Sequence, residues 1–274
     1  MNNMGQPGPA ETSGESAALP KSRFFRQESL VPFTKLNEPK EITVTVVGVG
    51  AVGRQLALQL AAMGIPRLRL IDFDKVEPSN VTTQMYPHAD IGKSKVESCM
   101  ASVLATDPNI KVEIVDDRYR PKFNSEVMFC CVDNMDIRKT IWERGGNVAL
   151  FYADGRMRGE TVRVLSVTSD PKLDPKSEDA MFNKSLADYY PTQLFEQAQA
   201  ETGRCTEPGV VYGAAVTASY MAHQFARWLR SVQVEKDFLF NMSSGDISFD
   251  ASDKNAGFAS SSTPTEPVLG ATAG

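Results

Sequence analysis

Positive charge is not in surplus in this chain of 274 residues: 29 lysines and arginines stand against 34 acids, a net charge of −5. Nonspecific nucleic-acid binding relies on clustered cations that displace counterions from phosphates, so this balance argues against a nucleic-acid partner and leaves only local basic groups. Cysteine is sparse as well. The four copies, Cys99, Cys130, Cys131 and Cys205, include no C-x-x-C pair. That argues against a disulfide framework or a cysteine zinc site and fits a reducing cytosol. No apolar run reaches the roughly eighteen residues of a bilayer span, and the first residues lack a basic-then-apolar pattern, so a cytoplasmic protein with no membrane contact is expected. There is no internal repeat. What is present is a hydrophobic share of 42%, enough for a sizeable core in one large domain or two small ones.

The organising stretch runs from Ile42 to Asp74, ITVTVVGVGAVGRQLALQLAAMGIPRLRLIDFD. A β-branched run (Thr43–Val47) predicts a buried strand, and Val52–Met63 predicts a helix. Leu68–Ile71 predicts a second strand that ends in acids. Between the first strand and the helix stand Gly48, Gly50 and Gly53. Gly48 permits a tight turn, Gly50 lets backbone amides approach a phosphate, and Gly53 lets the helix pack closely on the strand. Free N–H groups at the helix start then face an anion. Asp72 and Asp74 follow about twenty residues on, where a ribose-binding acid belongs. A nucleotide fold follows, with the nucleotide itself left open.

Met1 to Lys21 is rich in Gly, Pro, Ser, Ala and Glu and reads as a disordered leader, as does the Ser-, Thr-, Ala- and Gly-rich tail over 251–274. Residues 22–40 read as a docking arm whose Phe24 and Phe25 bury against the body. Residues 41–168 form the expected nucleotide-binding core. Val76–Gly92 reads as a long loop at a strand's C-terminal end, where ligand-binding loops sit in open parallel sheets. A helix is expected over Lys93–Leu104. Lys95 stands near its start, where a cation opposes the macrodipole; it faces an anion or is simply solvated, as is Lys93.

Lys111–Val115 and Val127–Val132 read as strands, the latter central. Asp133 and Asn134 follow it immediately. Asp133 faces the same crevice as the glycine turn, so it either reaches a metal–phosphate group or caps the helix Met135–Arg144. Strands are expected at Val148–Tyr152 and Thr161–Val167, the latter after an Arg- and Gly-rich turn. Residues 169–204 read as a polar crossover with a helix near Thr192–Ala200, and such long loops are usually functional or disordered. Residues 205–250 supply a helix over Val210–Val232 and a hairpin over Lys236–Phe249 turning at Ser243–Gly245. The helix has Val216, Tyr220, His223, Phe225, Trp228 and Leu229 on its packed face, with His223 half-buried and without a role. The expected fold is α/β: a Rossmann-like, mostly parallel sheet with helices on both faces, a long crossover loop and a C-terminal antiparallel portion.

A nicotinamide enzyme would need further substrate and proton-transfer groups near the sheet. Lysines, an arginine and an acid suited to magnesium favour ATP instead. The chain resembles the ThiF/MoeB/HesA family, the adenylating domain shared with ubiquitin-activating enzymes, from about Ser22 to Ser231. VVGVGAVGRQLALQLAAMGI resembles its nucleotide turn, and IDFDKVEPSNVTTQ its D-x-D-x-V-x-x-S-N-L-x-R-Q box. DIGKSK is similar to G-x-x-K, VDNMDIR to the D-N-x-x-x-R box, RFFRQ to R-Y-x-R-Q, and RCTEPGV to the cysteine-containing segment before the last core helix.

The resemblance implies that Asp72 holds the ribose, that Asn80, Gln84 and Lys95 contact phosphates, and that Asp133 holds Mg²⁺. Arg26 would reach across a homodimer interface to the partner's ATP. The implied reaction is attack of a C-terminal glycine carboxylate of a small ubiquitin-like protein on the α-phosphate, with metal, lysine and arginine neutralising developing charge. Thr83 stands where the family has an arginine, so Lys93 or Arg26 compensates or adenylation is weakened. The family's zinc-binding C-x-x-C pairs are absent. Cys205, beside Arg204 and before a helix, is either a thioester-forming nucleophile with a lowered pKa or a small packing residue. Cys99, Cys130 and Cys131 are expected to be inert core residues. Downstream, the partner is a conjugating-type enzyme, or the substrate is a sulfur-carrier protein of thiamine or molybdopterin type, or the chain is a noncatalytic scaffold subunit.

Overall fold

The computed structural model describes residues 22–32, 36, 42–196 and 209–249. β1 (Thr43–Val47) lies between β2 (Arg67–Ile71) and β4 (Val127–Cys130), with β3 (Lys111–Val115) outside β2. These strands and β5 (Phe151–Arg158) pair in parallel. β6 (Thr161–Thr168), β7 (Asp237–Asn241) and β8 (Asp246–Phe249) then add antiparallel strands, giving one eight-stranded sheet in the order β3-β2-β1-β4-β5-β6-β7-β8. The strand order reverses between β1 and β4. In open α/β sheets a crevice forms at the carboxyl ends of the strands at that switch point.

β4 (VMFC) is buried throughout, and β1 (TVTVV) is buried from Val44 onward, with Thr45 the polar residue within it, as befits strands at the centre of a covered parallel sheet. α1 (Ala51–Met63) follows the glycine turn and ends on Gly64, whose φ of +85° suits a residue without Cβ. α1 packs against α6 (Val211–Leu229), and the two amides of Gln55 and Gln59 bridge to Val211 O and Ser219 Oγ. The buried face of α6 is set by small residues, among them Gly213, Ala214 and Ala218, together with Met221, Phe225 and Leu229. Val216, Tyr220 and Trp228 lie at its margin, and His223 is exposed rather than half-buried, its ring edge against Tyr220.

Several expectations are corrected. The loop over Val76–Gly92 contains a short helix, α2 (Pro78–Gln84), started by a capping box between Glu77 and Asn80 and by Pro78. The strand expected at Val148–Tyr152 begins later and runs to Arg158, because Gly145 and Gly146 open a 3-10 turn that leaves Val148 exposed. The Arg- and Gly-rich segment after it is strand rather than turn, since pairing with β6 extends to Arg158 and the chain reverses at Gly159. The polar connection holds α5 (Glu178–Tyr189), capped by Ser177 Oγ accepting from Ala180 N at 3.2 Å. A 3-10 turn (Tyr190–Gln193) stands where the helix near Thr192–Ala200 was expected, and residues 197–200 lie outside the described residues.

The arm docks through other residues than expected. Val31 and Leu36 are buried, whereas Phe25 is 45% exposed. Arg23 and Arg26 lie over the Phe24 and Phe25 rings, a cation–π arrangement that lets the rings remain near solvent. Arg23 also pairs with Asp107, and Gln27 Nε2 donates to Ala62 O at the end of α1. Among the described residues no helix is long and apolar enough to cross a membrane. The leader over 1–21 and the tail over 251–274 lie outside the described residues.

Candidate functional site

A cleft of about 730 Å³ opens at the switch point, lined by the glycine turn, the ends of β2 and β4 and the start of α4 (Met135–Arg144). Its floor is built by close backbone approach. Gly48 has φ +85°, and a Cβ there would stand 2.9 Å from Cys131 O. A Cβ on Gly53 would stand 1.8 Å from Gly48 O, so only glycine lets α1 begin so near the turn. Gly50 occupies the N-cap position of α1 with no side-chain cap, which leaves first-turn amides for an anion.

Asp72, at the end of β2, braces this turn: its Oδ2 accepts from Val49 N at 2.8 Å and its Oδ1 from Asp74 N at 2.9 Å. Burial raises its pKa above the ordinary carboxylate value, and the two amide donors and Lys95 oppose that rise. Lys95 is 7% exposed at the first position of α3 (Lys95–Thr106) and its ammonium pairs with Asp74 Oδ2 at 3.0 Å. The anion that offsets the helix dipole is therefore in part the protein's own. Tyr86, with burial raising its phenol pKa, donates to Val49 O at 2.6 Å and ties the turn to the loop above.

Across the cleft, Asn134 Oδ1 accepts from Ile137 N at 3.0 Å and caps α4. The cap is thus Asn134, and Asp133 is left exposed at the cleft wall. Gln84, on α2, lines the same cleft, and its Oε1 is buried without a hydrogen-bond partner.

Of the site residues expected from sequence, Gly48, Gly50, Asp72, Asp74, Gln84, Lys95, Asp133 and Asn134 line one cleft. Gly53 supports it from behind. Asn80 does not line it: its Oδ1 accepts from Glu77 N at 2.9 Å as part of the α2 cap. Lys93 is exposed and paired with Asp90 at 2.6 Å. Thr83 bonds back to Ser79 O at 2.8 Å within its own helix. Arg26 is exposed on the arm and does not line the cleft. Cys205 and Arg204 lie outside the described residues.

Cys99 and Cys130 are buried as expected, and burial pushes the Cys99 thiol up to about 12. Cys131 is only partly buried and touches the cleft, yet its thiol is also raised by desolvation. The sequence reading missed Phe73, Arg118, Tyr119 and Arg138, all of which line the cleft; Arg118 lies 4.6 Å over the Phe73 ring. Their available signals were a position just after strand ends and, for Arg138, the D-N-x-x-x-R box.

The residues fit a nucleoside triphosphate: a cradle without Cβ atoms, uncapped amides, an unpaired buried carbonyl oxygen and a lysine. Among the described residues no group of three His, Cys, Asp or Glu is placed to hold a metal ion. Mg²⁺ keeps waters and substrate phosphates as ligands and needs one or two carboxylates, a requirement Asp133 meets.

The fold is that of a Rossmann-like α/β protein with a glycine-turn cleft at the switch point of its sheet. Residues 26–256 match the ThiF family, and the chain belongs to it. It is 29% identical over 139 residues to ubiquitin-like modifier-activating enzyme 5 of Caenorhabditis elegans, covering 44% of this chain and 33% of that protein. It is 37% identical over 83 residues to the probable adenylyltransferase/sulfurtransferase MoeZ of Mycobacterium tuberculosis, covering 30% of this chain and 21% of that one. The chain thus matches a third or less of the length of these relatives. Escherichia coli MccB with ATP has the same fold, with a TM-score of 0.63, 16% identity, and coverage of 84% of this chain and 71% of that one.

Proposed function

We propose that this protein adenylates the C-terminal glycine carboxylate of a small ubiquitin-like protein at the expense of ATP. The observation that carries this is the convergence of the glycine turn, Asp72, Lys95 and Asp133 on one cleft at the switch point. In this scheme a carboxylate oxygen of the modifier bonds to the α-phosphorus, the bond to the bridging oxygen of the β-phosphate breaks, and pyrophosphate leaves with that electron pair. Lys95 and the first-turn amides of α1 bind and orient the phosphates, and Asp72 accepts from a ribose hydroxyl. Mg²⁺, when bound at Asp133, would neutralise charge on the phosphates. Arg26, exposed and not lining its own cleft, suits a role in a partner's cleft within a homodimer.

Thioester formation on Cys205 and hand-over to a conjugating enzyme would follow in the cytoplasm. MoeZ bears the name of an adenylyltransferase/sulfurtransferase, which supports a second reading in which the substrate is a sulfur-carrier protein. The two share the first step. Pyrophosphate exchange into ATP, dependent on a protein ending in glycine and lost in Asp133→Ala, tests that step. No exchange with any such protein would leave the scaffold subunit as the better account. A reducing-agent-sensitive adduct that survives Cys205→Ala would remove Cys205 as the nucleophile.

A further inference from the structure

Beneath the cleft lies a buried ionic cluster that the proposed chemistry does not use. Asp154, fully buried on β5, pairs with Arg138 of α4 and with Arg156, whose Nε and Nη2 lie 2.9 and 2.7 Å from Asp154 Oδ2. Tyr190 OH donates to the same oxygen at 2.9 Å. Toward the cleft, Arg138 donates to Val132 O and, at 3.2 Å, to Gly155 O, which pins the backbone beside Asp133. Toward the crossover, Arg156 Nη1 donates to Gln193 O at 2.9 Å, and Arg163 Nη2 donates to Gln193 Oε1 at 2.7 Å while pairing with Asp237.

Gln193 is 3% exposed and is therefore held at both its backbone and its side chain. Three arginines face two aspartates here, so every acceptor is in demand. In a low dielectric a missing acceptor leaves a donor unpaired, which makes such a network hold as a unit or rearrange as a unit.

We infer that Arg138, Asp154, Arg156 and Gln193 are positioning residues that fix the start of the crossover relative to the Val132–Asp133 corner of the cleft, so that the two segments shift together. The purpose rests on the adenylation reading: the crossover leads toward Cys205, and an incoming polypeptide carboxylate must meet the α-phosphate at a set distance from Asp133. The physical link itself does not depend on that reading.

Amide hydrogen exchange on the full chain tests it, with peptides 131–135 and 186–194 followed in the free protein and with Mg²⁺ and a non-hydrolysable ATP analogue. Gln193→Ala, which removes one acceptor on the crossover, is expected to speed exchange about fivefold or more in both peptides, and the analogue to protect both in the unaltered protein. Gln193→Glu, which restores an acceptor and balances the third arginine, is expected to return both to the original rate. In pyrophosphate exchange Gln193→Ala should lose about tenfold in kcat while the KM for ATP stays within about twofold.

Exchange at 131–135 unchanged in Gln193→Ala, or protection by the analogue confined to 131–135, would overturn the link. If the analogue protects nothing in the unaltered protein, the adenylation reading fails, and the free-protein comparison still decides the link. Asp154→Asn gives the same answer from the centre of the network if it folds, and Gln193→Ala carries the test if it does not.

Discussion

Lys95 and Asp74 are joined twice, the Lys95 amide to Asp74 O at 2.9 Å and its ammonium to Asp74 Oδ2 at 3.0 Å. The lysine is thereby held in a short, buried arc over the cleft before any phosphate arrives, which lowers the entropy lost when it engages one. The carboxylate is also the competitor that a phosphate must displace or share.

Lys95→Ala is expected to slow pyrophosphate exchange about a hundredfold, near 2.7 kcal/mol of transition-state stabilisation. Asp74→Asn should cost much less, because the main-chain link to Lys95 survives and a charge repelling the phosphates is gone. Steady-state exchange with both variants checks the order; a larger loss in Asp74→Asn would show that the carboxylate, not the lysine, is the group the reaction needs.

Asp133 and Asn134 are adjacent but have separable tasks. Asn134→Ala removes the cap of α4 and should lower stability by about 1 kcal/mol in urea unfolding. Asp133→Asn, at an exposed position, should unfold as the parent does while losing magnesium-dependent exchange. Equal destabilisation by the two changes would contradict this division.

Gly53→Ala places a methyl group 1.8 Å from Gly48 O and should abolish or severely weaken folding of the core. Gly92 has φ +89° with nothing within 4 Å, so Gly92→Ala should cost only the backbone strain of about 1–2 kcal/mol. Soluble yield and thermal midpoints of the two variants measure the difference between a clash and a strained dihedral.

Asp72 has its pKa raised above 3.8 by burial. The folded state therefore holds its proton at pH values where the unfolded chain has lost it, and this group's contribution to stability is fully present below 3.8 and declines as pH rises through the raised folded value. Asp72→Asn should remove that decline from the stability–pH curve. Nucleotide affinity should run the other way, since the ionised form is the better acceptor for a ribose hydroxyl: in the parent it should fall on acidification sooner than for an ordinary carboxylate. Urea titrations and analogue binding across the acid range report both; an unchanged curve in Asp72→Asn would remove Asp72 as their source.

The first half of the sheet was legible because its signals are local. Thr43–Val47, the spaced glycines and the apolar face of α1 each express a single requirement, and the acids of β2 fall where β2 ends. The same locality explains the errors. α2 is started by a capping box between Glu77 and Asn80, and Asn80 reads equally well as a polar loop residue aimed at a ligand. The segment Ala153–Arg158 resembles a turn because it carries Asp154, Gly155 and Arg156, but each charge has a buried partner contributed by α4, the crossover start or its neighbour on the strand. Asp133 and Asn134 both suit a helix cap, and only the geometry at the end of β4 assigns the cap to Asn134.

The sequence by itself determined the nucleotide turn, the class of fold, and the set of groups suited to phosphate, because glycine spacing, strand patterning and strand-end acids are short-range consequences of backbone sterics and burial. Tertiary structure alone decided which of those groups share one cleft. It joined Lys95 to Asp74, turned Asn80 inward as a cap, left Lys93 on Asp90, and set an arginine network behind Asp133 that reaches Gln193. The Lys95–Asp74 pair and the arginine network join residues far apart in the chain, while the Asn80 and Lys93 contacts span only three residues; in each case the energy depends on burial and on which of several polar partners the fold presents.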